Sequence, residues 1–276
     1  IKMAVINTNI AATLTANALV RNERAATQAM ERLSTGLRIN SAADDAAGLS
    51  MSETMTAQIR GLDMAAKNAN DAISMVQTAD GATVEIGNMM QRMRELAVQA
   101  VNGTQTAADL DGLDLEYQAL LSEIDRIAEA TQFNGTAIIT GAVGTTGTVT
   151  YQVGADAAQT VTVAFGDFNT AALTITGGDV DTAANAATAI AALDTDIAAL
   201  ALQRGTYGAA INRLEYTVDN LNNISMNTQA SRSRIQDADY ASESTALAKT
   251  QIIAQAGTAM LAQANQAAQQ VLALLK

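Results

Sequence analysis

The spacing of apolar residues constrains the fold more than any other feature of this chain. Apolar residues recur alternately four and three positions apart in residues 55–100, 113–127, 186–221 and 260–274. One such set is Leu113, Tyr117, Leu120, Ile124 and Ile127. This spacing is typical of helices that pack along their length, as in coiled coils. The chain contains no proline, so its composition allows very long helices.

The length of these segments favours extended helix pairs over the alternative, a compact bundle of ordinary amphipathic helices. At about 1.5 Å per residue, residues 45–101 would span roughly 80 Å as one helix. We expect a break near Gly81. "VNGTQTAADLDG" predicts a loop followed by a helix start. "DLDGLDLE" lacks the ligand spacing of a calcium loop, so its acidic residues predict the first turn of a helix.

The middle of the chain changes to a period of two, which predicts strands. Val149, Tyr151 and Val153 alternate with polar residues, and so do Val161, Val163 and Phe165 after the turn "GADAAQ". Residues 172–176 could add a strand. The fold class is therefore mainly α, a long antiparallel coiled-coil-like helical rod formed by N- and C-terminal arms, with a small β-hairpin region. The predicted divisions are terminal segments 1–44 and 233–276, rod arms 45–135 and 178–232, and the β region 136–177.

The terminal segments are expected to pair with each other and to need further cover. Hydrophobic residues make up 49% of the chain but aromatic residues only 3%, and the alanines that predominate bury little area. Two alanine-rich helices alone are marginal in water, so neighbouring subunits would have to complete their burial, which indicates a polymer. The expected core contacts are Ile6, Ile10, Leu14, Met30, Leu33 and Leu37 with Met260, Ala264, Ala267, Val271 and Leu274.

Composition argues against several functions. The chain has no histidine and no cysteine, which removes the commonest general base, metal ligand and thiol nucleophile. We therefore expect neither an enzyme nor a cofactor. The net charge of −12 argues against nucleic acid as a partner. No apolar run near the roughly 20 residues of a membrane span is visible, so we expect no membrane insertion, and the first residues lack a cleavable signal peptide.

Long stretches at both ends resemble bacterial flagellin. "MAVINTNIAATLTANALVRNERAATQAMERLSTGLRINSAADDAAGLS" is similar to the N-terminal region of that family, and "MQRMRELAVQAVNGT" and "IDRIAEATQFNGT" are similar to the stretches after it. "RSRIQDADYASESTALAKTQIIAQAGTAMLAQANQAAQQVLALLK" resembles its C-terminal region, and "VTYQVGADAAQTVTVAF" the hairpin of its rod. The large variable outer domains are missing, which indicates a minimal form.

The resemblance implies a helical homopolymer, the extracellular filament of the bacterial flagellum used for swimming, whose subunits leave the cell by type III export. It also implies contacts with an export chaperone, the filament cap and the hook-junction proteins. By the same resemblance, the host Toll-like receptor for flagellin would recognise the monomer through Arg92, Leu96 and Glu116, with Arg94 and Glu95 beside them. The same surface would serve subunit contacts, so receptor binding and polymerisation would compete for it.

The stretch "NSAADDAAGLS" would be a spoke between inner and outer layers, with Asn40, Asp44 and Asp45 as its polar residues. The two carboxylates could also start the next helix. A metal or acid–base site is the less favoured interpretation, because no histidine accompanies them.

Other functions remain open on the residues alone. A hook–filament junction protein would share the terminal helices, whereas a cell-surface ligand-binding flagellin homologue would need a concave polar or aromatic site. Five Tyr and three Phe leave little material for such a site. A secreted membrane-active translocator is opposed by the lack of a long apolar run.

Overall fold

The computed structural model describes residues 9–175 and 178–273, with residues 267–273 as backbone only. Five helices and four short strands make up this part of the chain. The helices are α1 (Ile10–Thr35), α2 (Ala46–Ala100), α3 (Ala107–Ala130), α4 (Ala183–Gln236) and α5 (Tyr240–Ala273), and the strands are β1 (Gln132–Phe133), β2 (Thr136–Ala137), β3 (Thr148–Gln152) and β4 (Thr160–Ala164). The predicted fold class, mainly α with a small β-hairpin region, is confirmed.

Helix α2 runs without a break from Ala46 to Ala100, so the break expected near Gly81 is wrong. A glycine in a helix interior costs about 1 kcal/mol relative to alanine. On both sides of it, however, α2 is held by buried residues, among them Ala79 and Ile86, which are both 0% exposed. Packing of the flanks therefore outweighs the local propensity.

The start of α3 follows the sequence prediction. Thr106 is the N-cap, and it forms a reciprocal capping box with Asp109 in which each side chain accepts from the other residue's backbone N–H. The Thr106 hydroxyl also donates to the Asp109 carboxylate at 2.6 Å, and this hydrogen bond first, followed by the one from the Thr106 backbone N–H, lowers the pKa of Asp109. A capping box satisfies backbone donors that the first helical turn leaves free. The acidic run is thus a helix start and not a calcium loop.

The described chain forms two compact units. The terminal unit contains residues 9–57 and 227–273, and the central unit contains residues 58–175 and 178–226. Boundaries of the five predicted segments within these units stay a prediction.

In the terminal unit, α1 and α5 run antiparallel. The side-chain amide of Asn9 donates to the carbonyl of Ala264 at 3.0 Å, and that of Asn22 donates to the carbonyl of Thr250 at 2.7 Å. Nearer the other end, Arg32 pairs with Glu243 at 3.0 Å. Helix α1 ends at Gly36, whose φ of 71° is the left-handed value that glycine adopts readily. The predicted pairing of the terminal helices is therefore confirmed.

In the central unit, α2, α3, α4 and the β region share one buried cluster. Helices α2 and α4 are antiparallel, because Ser225 donates to Asp63, Arg204 pairs with Asp80, and Arg94 pairs with Asp194. The largest side chains that are fully buried here are Tyr117, Tyr207, Ile86, Met90, Met93, Leu96, Ile124, Ile138, Ile139, Ile175, Leu193 and Leu214.

Strands β3 and β4 form the predicted hairpin, with Thr150 opposite Thr162. Val161 and Val163 are buried, as their period of two predicts. The loop before β3 depends on glycine: a Cβ on Gly144, at φ +62°, would lie 2.0 Å from the carbonyl oxygen of Thr148. A second, smaller hairpin of β1 and β2, turning at Asn134 and Gly135 with φ of 50° and 78°, was not predicted.

The strand expected at residues 172–176 is wrong for the four residues that the structure describes, 172–175, which form turns. The buried carboxylate of Asp196 on α4 explains the difference. Its oxygens accept from the backbone N–H of Thr174 and of Ile175, both at 3.1 Å. Backbone N–H groups that donate to a side chain are not available to donate to the carbonyl groups of a neighbouring strand.

Helix α4 also corrects the statement that no apolar run approaches a membrane span. It contains an 18-residue window of mean hydropathy 1.3. Several α4 side chains, Leu193 and Leu200 among them, lie instead in the buried cluster of the central unit. The absence of membrane insertion stays a prediction.

Candidate interaction surfaces

The contact between α1 and α5 is a seam of mostly small residues with a few leucines. Along both helices the half-buried or buried positions recur three and four residues apart: Ala12, Thr15, Leu19, Asn22, Ala26, Ala29 and Leu33 on α1, and Leu247, Thr250, Ala254, Gly257, Leu261 and Ala264 on α5. Small side chains let the two backbones approach each other closely. A Cβ on Gly257 would lie only 3.3 Å from Leu19. The seam is therefore narrow and buries little area.

Larger apolar residues of the terminal unit point away from the seam. Ile10 is 61% exposed, Leu14 65%, Met30 55% and Met260 61%. We call the exposed large apolar residues of this unit the terminal apolar surface; they are Ile10, Leu14, Val20, Met30, Met51, Tyr240, Ile252, Ile253 and Met260. In the monomer, Ile10, Leu14 and Met30 face away from the seam and do not pack against the last helix. Their assignment, with Met260, as filament core contacts stays a prediction.

The remaining predicted core contacts are distributed differently. Leu33, Leu37 and Ala264 are half-buried. Ile6 and Leu274 lie outside the described residues, and the side chains of Ala267 and Val271 are not described. Their assignment as filament contacts stays a prediction.

Residues 36–45 form a polar loop between α1 and α2 that is held by Asp44. This carboxylate accepts from the backbone N–H of Asn40 at 3.2 Å and of Ser41 at 3.0 Å, and from the side chain of Gln28 at 3.0 Å. The backbone hydrogen bonds from Ser41 and then Asn40 are the main reason that the pKa of Asp44 is lowered. The side chain of Asn40 donates in turn to Glu31.

Asp45 caps α2. Its Oδ1 accepts from the backbone N–H of Ala47 at 3.1 Å and of Gly48 at 3.0 Å. The two adjacent carboxylates therefore hold the loop and start the helix, as the capping interpretation predicts.

Arg92 is the centre of an exposed ion-pair patch in the central unit. Its guanidinium contacts Glu116 of α3 at 2.9 Å and Glu95 of its own helix at 3.0 Å. Hydrogen bonds from Arg92 to Glu116 and then to Glu95 raise the pKa of Arg92. Of the five residues that the resemblance assigns to a contact surface, Arg92, Glu95 and Glu116 lie side by side, but pairs exposed to this degree contribute little to stability.

Arg94 and Leu96 do not belong to this ion-pair patch. Arg94 contacts Asp194 of α4 at 2.6 Å, and this hydrogen-bonded pairing raises its pKa. Leu96 is only 1% exposed, because it lies on the face of α2 that packs into the core. Its assignment to a contact surface is therefore wrong for the chain as folded.

The exposed residues of these surfaces are of the kinds that contact other protein chains. Among residues 9–175 and 178–273, no three acidic side chains lie close enough to hold a metal ion. The exposed features are apolar side chains on a thin helix pair and paired charges on a helical core. The fold and its surfaces thus define a mainly helical structural protein that associates with other chains.

Comparison with known families identifies the class more closely. The family described as the bacterial flagellin N-terminal helical region matches residues 6–143, and the family described as the bacterial flagellin C-terminal helical region matches residues 190–275. The chain is 46% identical to a flagellin of Halalkalibacterium halodurans, over 90% of this chain and 91% of that protein. It is 42% identical to a flagellar filament 33 kDa core protein of Treponema phagedenis, over 99% and 100%.

A solved structure agrees with these relatives. The crystal structure of Bacillus cereus flagellin matches with a TM-score of 0.50 and 40% identity, over 56% of this chain and 88% of that chain. The chain belongs to the bacterial flagellin family.

Sequence reasoning missed the side chains that bind backbone groups across the structure. Asn9 and Asn22 donate to carbonyls of α5, and Asp125 accepts from the backbone N–H of Thr170 at 2.8 Å. A single Asn or Asp among alanines carries no pattern. A signal exists only for Asn9, which precedes the first apolar helix as an N-cap.

Proposed function

We propose that this chain polymerises into the flagellar filament through the terminal apolar surface and a polar patch on the central unit. As a flagellin it is a structural subunit of the extracellular filament used for motility, and it assembles with copies of itself. The step beyond family membership is the assignment of residues to the contacts. We also propose that the chain has no catalytic role.

The exposure of the terminal apolar surface is the observation that carries the proposal. Leu14 and Met260, at 65% and 61% exposed, lie on a helix pair whose seam is built mostly of small side chains such as alanine, glycine and threonine. Burying one such side chain stabilises an assembly by about 1.5–3 kcal/mol, at about 25 cal/mol per Å². A subunit that covers these residues with its neighbours gains what its own seam does not supply.

Seeded growth tests the terminal half of the proposal. Purified monomer would be added to filament fragments, and elongation would be followed by electron microscopy. We expect no growth from a chain that lacks residues 263–276, and slower growth from Leu14→Ser. Ala18→Ser is the matched control, since it puts the same hydroxyl on an exposed position of α1 without removing a large apolar group.

Circular dichroism and thermal unfolding of the monomers show whether each variant keeps the fold of the central unit. Equal growth of the full-length and shortened chains would contradict the assignment of the terminal helices. Equal slowing by Leu14→Ser and Ala18→Ser would contradict the role of the apolar side chain.

The polar patch is the second proposed contact. Arg92, Glu95 and Glu116 form one exposed set, and Arg94 forms a separate exposed pair with Asp194 that we include in the proposed contact. We propose that this set contacts the Toll-like receptor for flagellin in the monomer and neighbouring subunits in the filament. Leu96 is left out, because it is buried.

Arg92→Ala tests both halves, with receptor activation measured in reporter cells and elongation measured as above. We expect both to weaken. Arg126→Ala is the matched control, because Arg126 is also exposed on the central unit and also pairs with a glutamate, Glu123 at 2.6 Å. An unchanged receptor response to Arg92→Ala monomers would refute the receptor half, and unchanged elongation would refute the filament half.

Further partners follow from family membership and stay proposals. They are an export chaperone, the filament cap and the hook-junction proteins. The loop that contains Asn40, Asp44 and Asp45 is the proposed spoke between filament layers, supported by its dense network of short-range hydrogen bonds. No role with nucleic acid or in membrane insertion is proposed.

A further inference from the structure

The oxidisable sulfur of this chain is all methionine. The sequence has 11 Met and no Cys. In the terminal unit, three methionines have exposed side chains: Met30 at 55%, Met51 at 52% and Met260 at 61%. All three belong to the terminal apolar surface. The thioethers most accessible to an oxidant in this unit are therefore on the surface that polymerisation is proposed to cover.

Methionines of the core are protected from the same chemistry. Met90 and Met93 are 0% exposed, and Met75 is 7% exposed. The Tyr151 hydroxyl also donates to the sulfur of Met75 at 2.8 Å. Oxidation at moderate oxidant concentration is consequently selective for exposed thioethers, since reactivity follows access.

We propose that Met30, Met51 and Met260 are three modification sites through which peroxides block assembly of the monomer. The inference rests on the proposed role of the terminal apolar surface in polymerisation. The reaction transfers one oxygen atom from hydrogen peroxide to each sulfur as the O–O bond breaks. The sulfur loses two electrons to become a sulfoxide, and the peroxide is reduced to water.

The sulfoxide acts on assembly and not on the monomer fold. In the monomer the three side chains are more than half exposed, so the new S=O group remains hydrated. In a filament contact the same group would be buried among apolar side chains, where an unpaired polar group is costly. Oxidation therefore raises the free energy of the assembled state alone. Filaments that already cover these side chains protect them.

The experiment oxidises monomer with hydrogen peroxide, locates the sulfoxides by peptide mass spectrometry, and measures seeded elongation. We expect sulfoxide at residues 30, 51 and 260 and at the similarly exposed residues 64 and 226, an unchanged circular dichroism spectrum, and elongation slowed about tenfold or more. Treatment with the two methionine sulfoxide reductases, one for each epimer, should restore elongation. Intact filaments treated in the same way should carry less sulfoxide at these positions.

Two variants make the assignment specific. Met30→Leu, Met51→Leu and Met260→Leu combined keep apolar volume and should elongate at nearly the same rate before and after peroxide. Met64→Leu with Met226→Leu is the control, because Met64 and Met226 are 52% and 60% exposed in the central unit. That control should remain sensitive.

The outcomes separate the inference from the proposed function. Untreated monomer that elongates, together with fully oxidised monomer that elongates equally well, would overturn the inference and leave the polymerisation surface in place. Loss of elongation in the oxidised triple variant would also overturn it. If untreated Leu14→Ser elongates like wild type, the proposed surface itself fails.

Discussion

The terminal and central units share the same helical spacing of apolar residues, but they bury these residues to different extents. In the central unit, the inward positions of α2 and α4 carry Ile86, Met93, Leu193 and Leu214, each at 0% exposed. In the terminal unit, the inward positions are mostly small residues, namely alanine, glycine and threonine, with a few leucines. Several of its larger apolar residues, such as Leu14, remain more than half exposed.

The difference shows what a repeat of apolar positions does and does not specify. The repeat fixes that two helices pack along their length. Side-chain size decides how far apart they lie and how much area they bury. Alanine brings α1 and α5 close together, and the terminal unit buries few apolar side chains. The larger residues of the central unit form a buried core within one chain, although Leu115, Leu202 and Tyr216 of that unit are more than 70% exposed. We therefore expect the terminal unit to depend more on neighbouring subunits than the central unit does.

The largest expected difference between the two units is the loss of monomer stability when one leucine of each unit is replaced by alanine. Leu193→Ala removes a fully buried side chain and should destabilise the central unit by about 3 kcal/mol. Leu14→Ala, in the terminal unit, removes a side chain that is 65% exposed and should change monomer stability by less than about 0.5 kcal/mol. Denaturant unfolding of each monomer measures both values.

Assembly should show the reverse order for the same pair. Filament growth from Leu14→Ala should be impaired, while Leu193→Ala should still elongate at temperatures where it stays folded. If Leu14→Ala destabilised the monomer as much as Leu193→Ala does, the terminal unit would have a core of its own, and the contrast between the units would be lost.

The repeat explains how much of the fold could be predicted. The long helices, the β3–β4 hairpin and the pairing of the chain ends follow from periods of 3.5 and 2 that extend over many residues. Which apolar residues face the partner did not follow. Ile10 and Ala12 on α1 lie two positions apart, and only the approach of α5 decides that the alanine faces inward and the isoleucine outward.

The candidate site residues also include some that a sequence pattern could predict and some that it could not. Arg92 and Glu116 are 24 positions apart in sequence, and they were grouped by family resemblance and not by any local pattern. The resemblance also included Leu96, although its position in the repeat with Met89, Met93 and Ala100 already marked it as a core residue. Here the spacing was the better guide to burial.

A second test sharpens the contrast within the central unit by comparing two aspartates of α4. Asp196 is 4% exposed and accepts three hydrogen bonds from Thr174 and Ile175. Asp196→Ala should cost about 2 kcal/mol, because it leaves the buried N–H of Ile175 without its acceptor. Thermal unfolding and protection of that amide from hydrogen exchange measure the loss.

Asp194→Ala is the control for this effect. Asp194 pairs with Arg94 at an exposed position, and loss of such a pair should cost much less stability than loss of the buried Asp196 carboxylate. Equal losses for the two variants would mean that residues 169–175 are held by their apolar packing and not by the Asp196 carboxylate.

The smallest expected change at neutral pH concerns Tyr117, whose hydroxyl is buried and has no hydrogen-bond partner among the described residues. Tyr117→Phe removes a polar group that gains nothing from its surroundings, so stability at pH 7 should stay equal or rise by up to about 1 kcal/mol. Tyr207→Phe is the matched control. The Tyr207 hydroxyl accepts from the backbone N–H of Gly166 at 3.2 Å, and its removal should cost about 1 kcal/mol.

If Tyr117→Phe leaves stability at pH 7 unchanged, the Tyr117 hydroxyl is either buried without a partner or hydrated. Unfolding at alkaline pH distinguishes these two explanations. Burial first, and then the negative charges of Asp114, Asp196 and Asp179, raise the pKa of Tyr117 to about 12, against about 10 in an unfolded chain. The unfolded state therefore loses the proton first. The contribution of Tyr117 is complete below about pH 10 and is lost as pH rises through 12. Tyr117→Phe should have a shallower decline of stability across this range, although Tyr151 keeps part of it because burial also raises its pKa to about 12. An identical decline in both proteins would show that the Tyr117 hydroxyl is hydrated, and the core of the central unit would then be less completely closed than its exposures indicate.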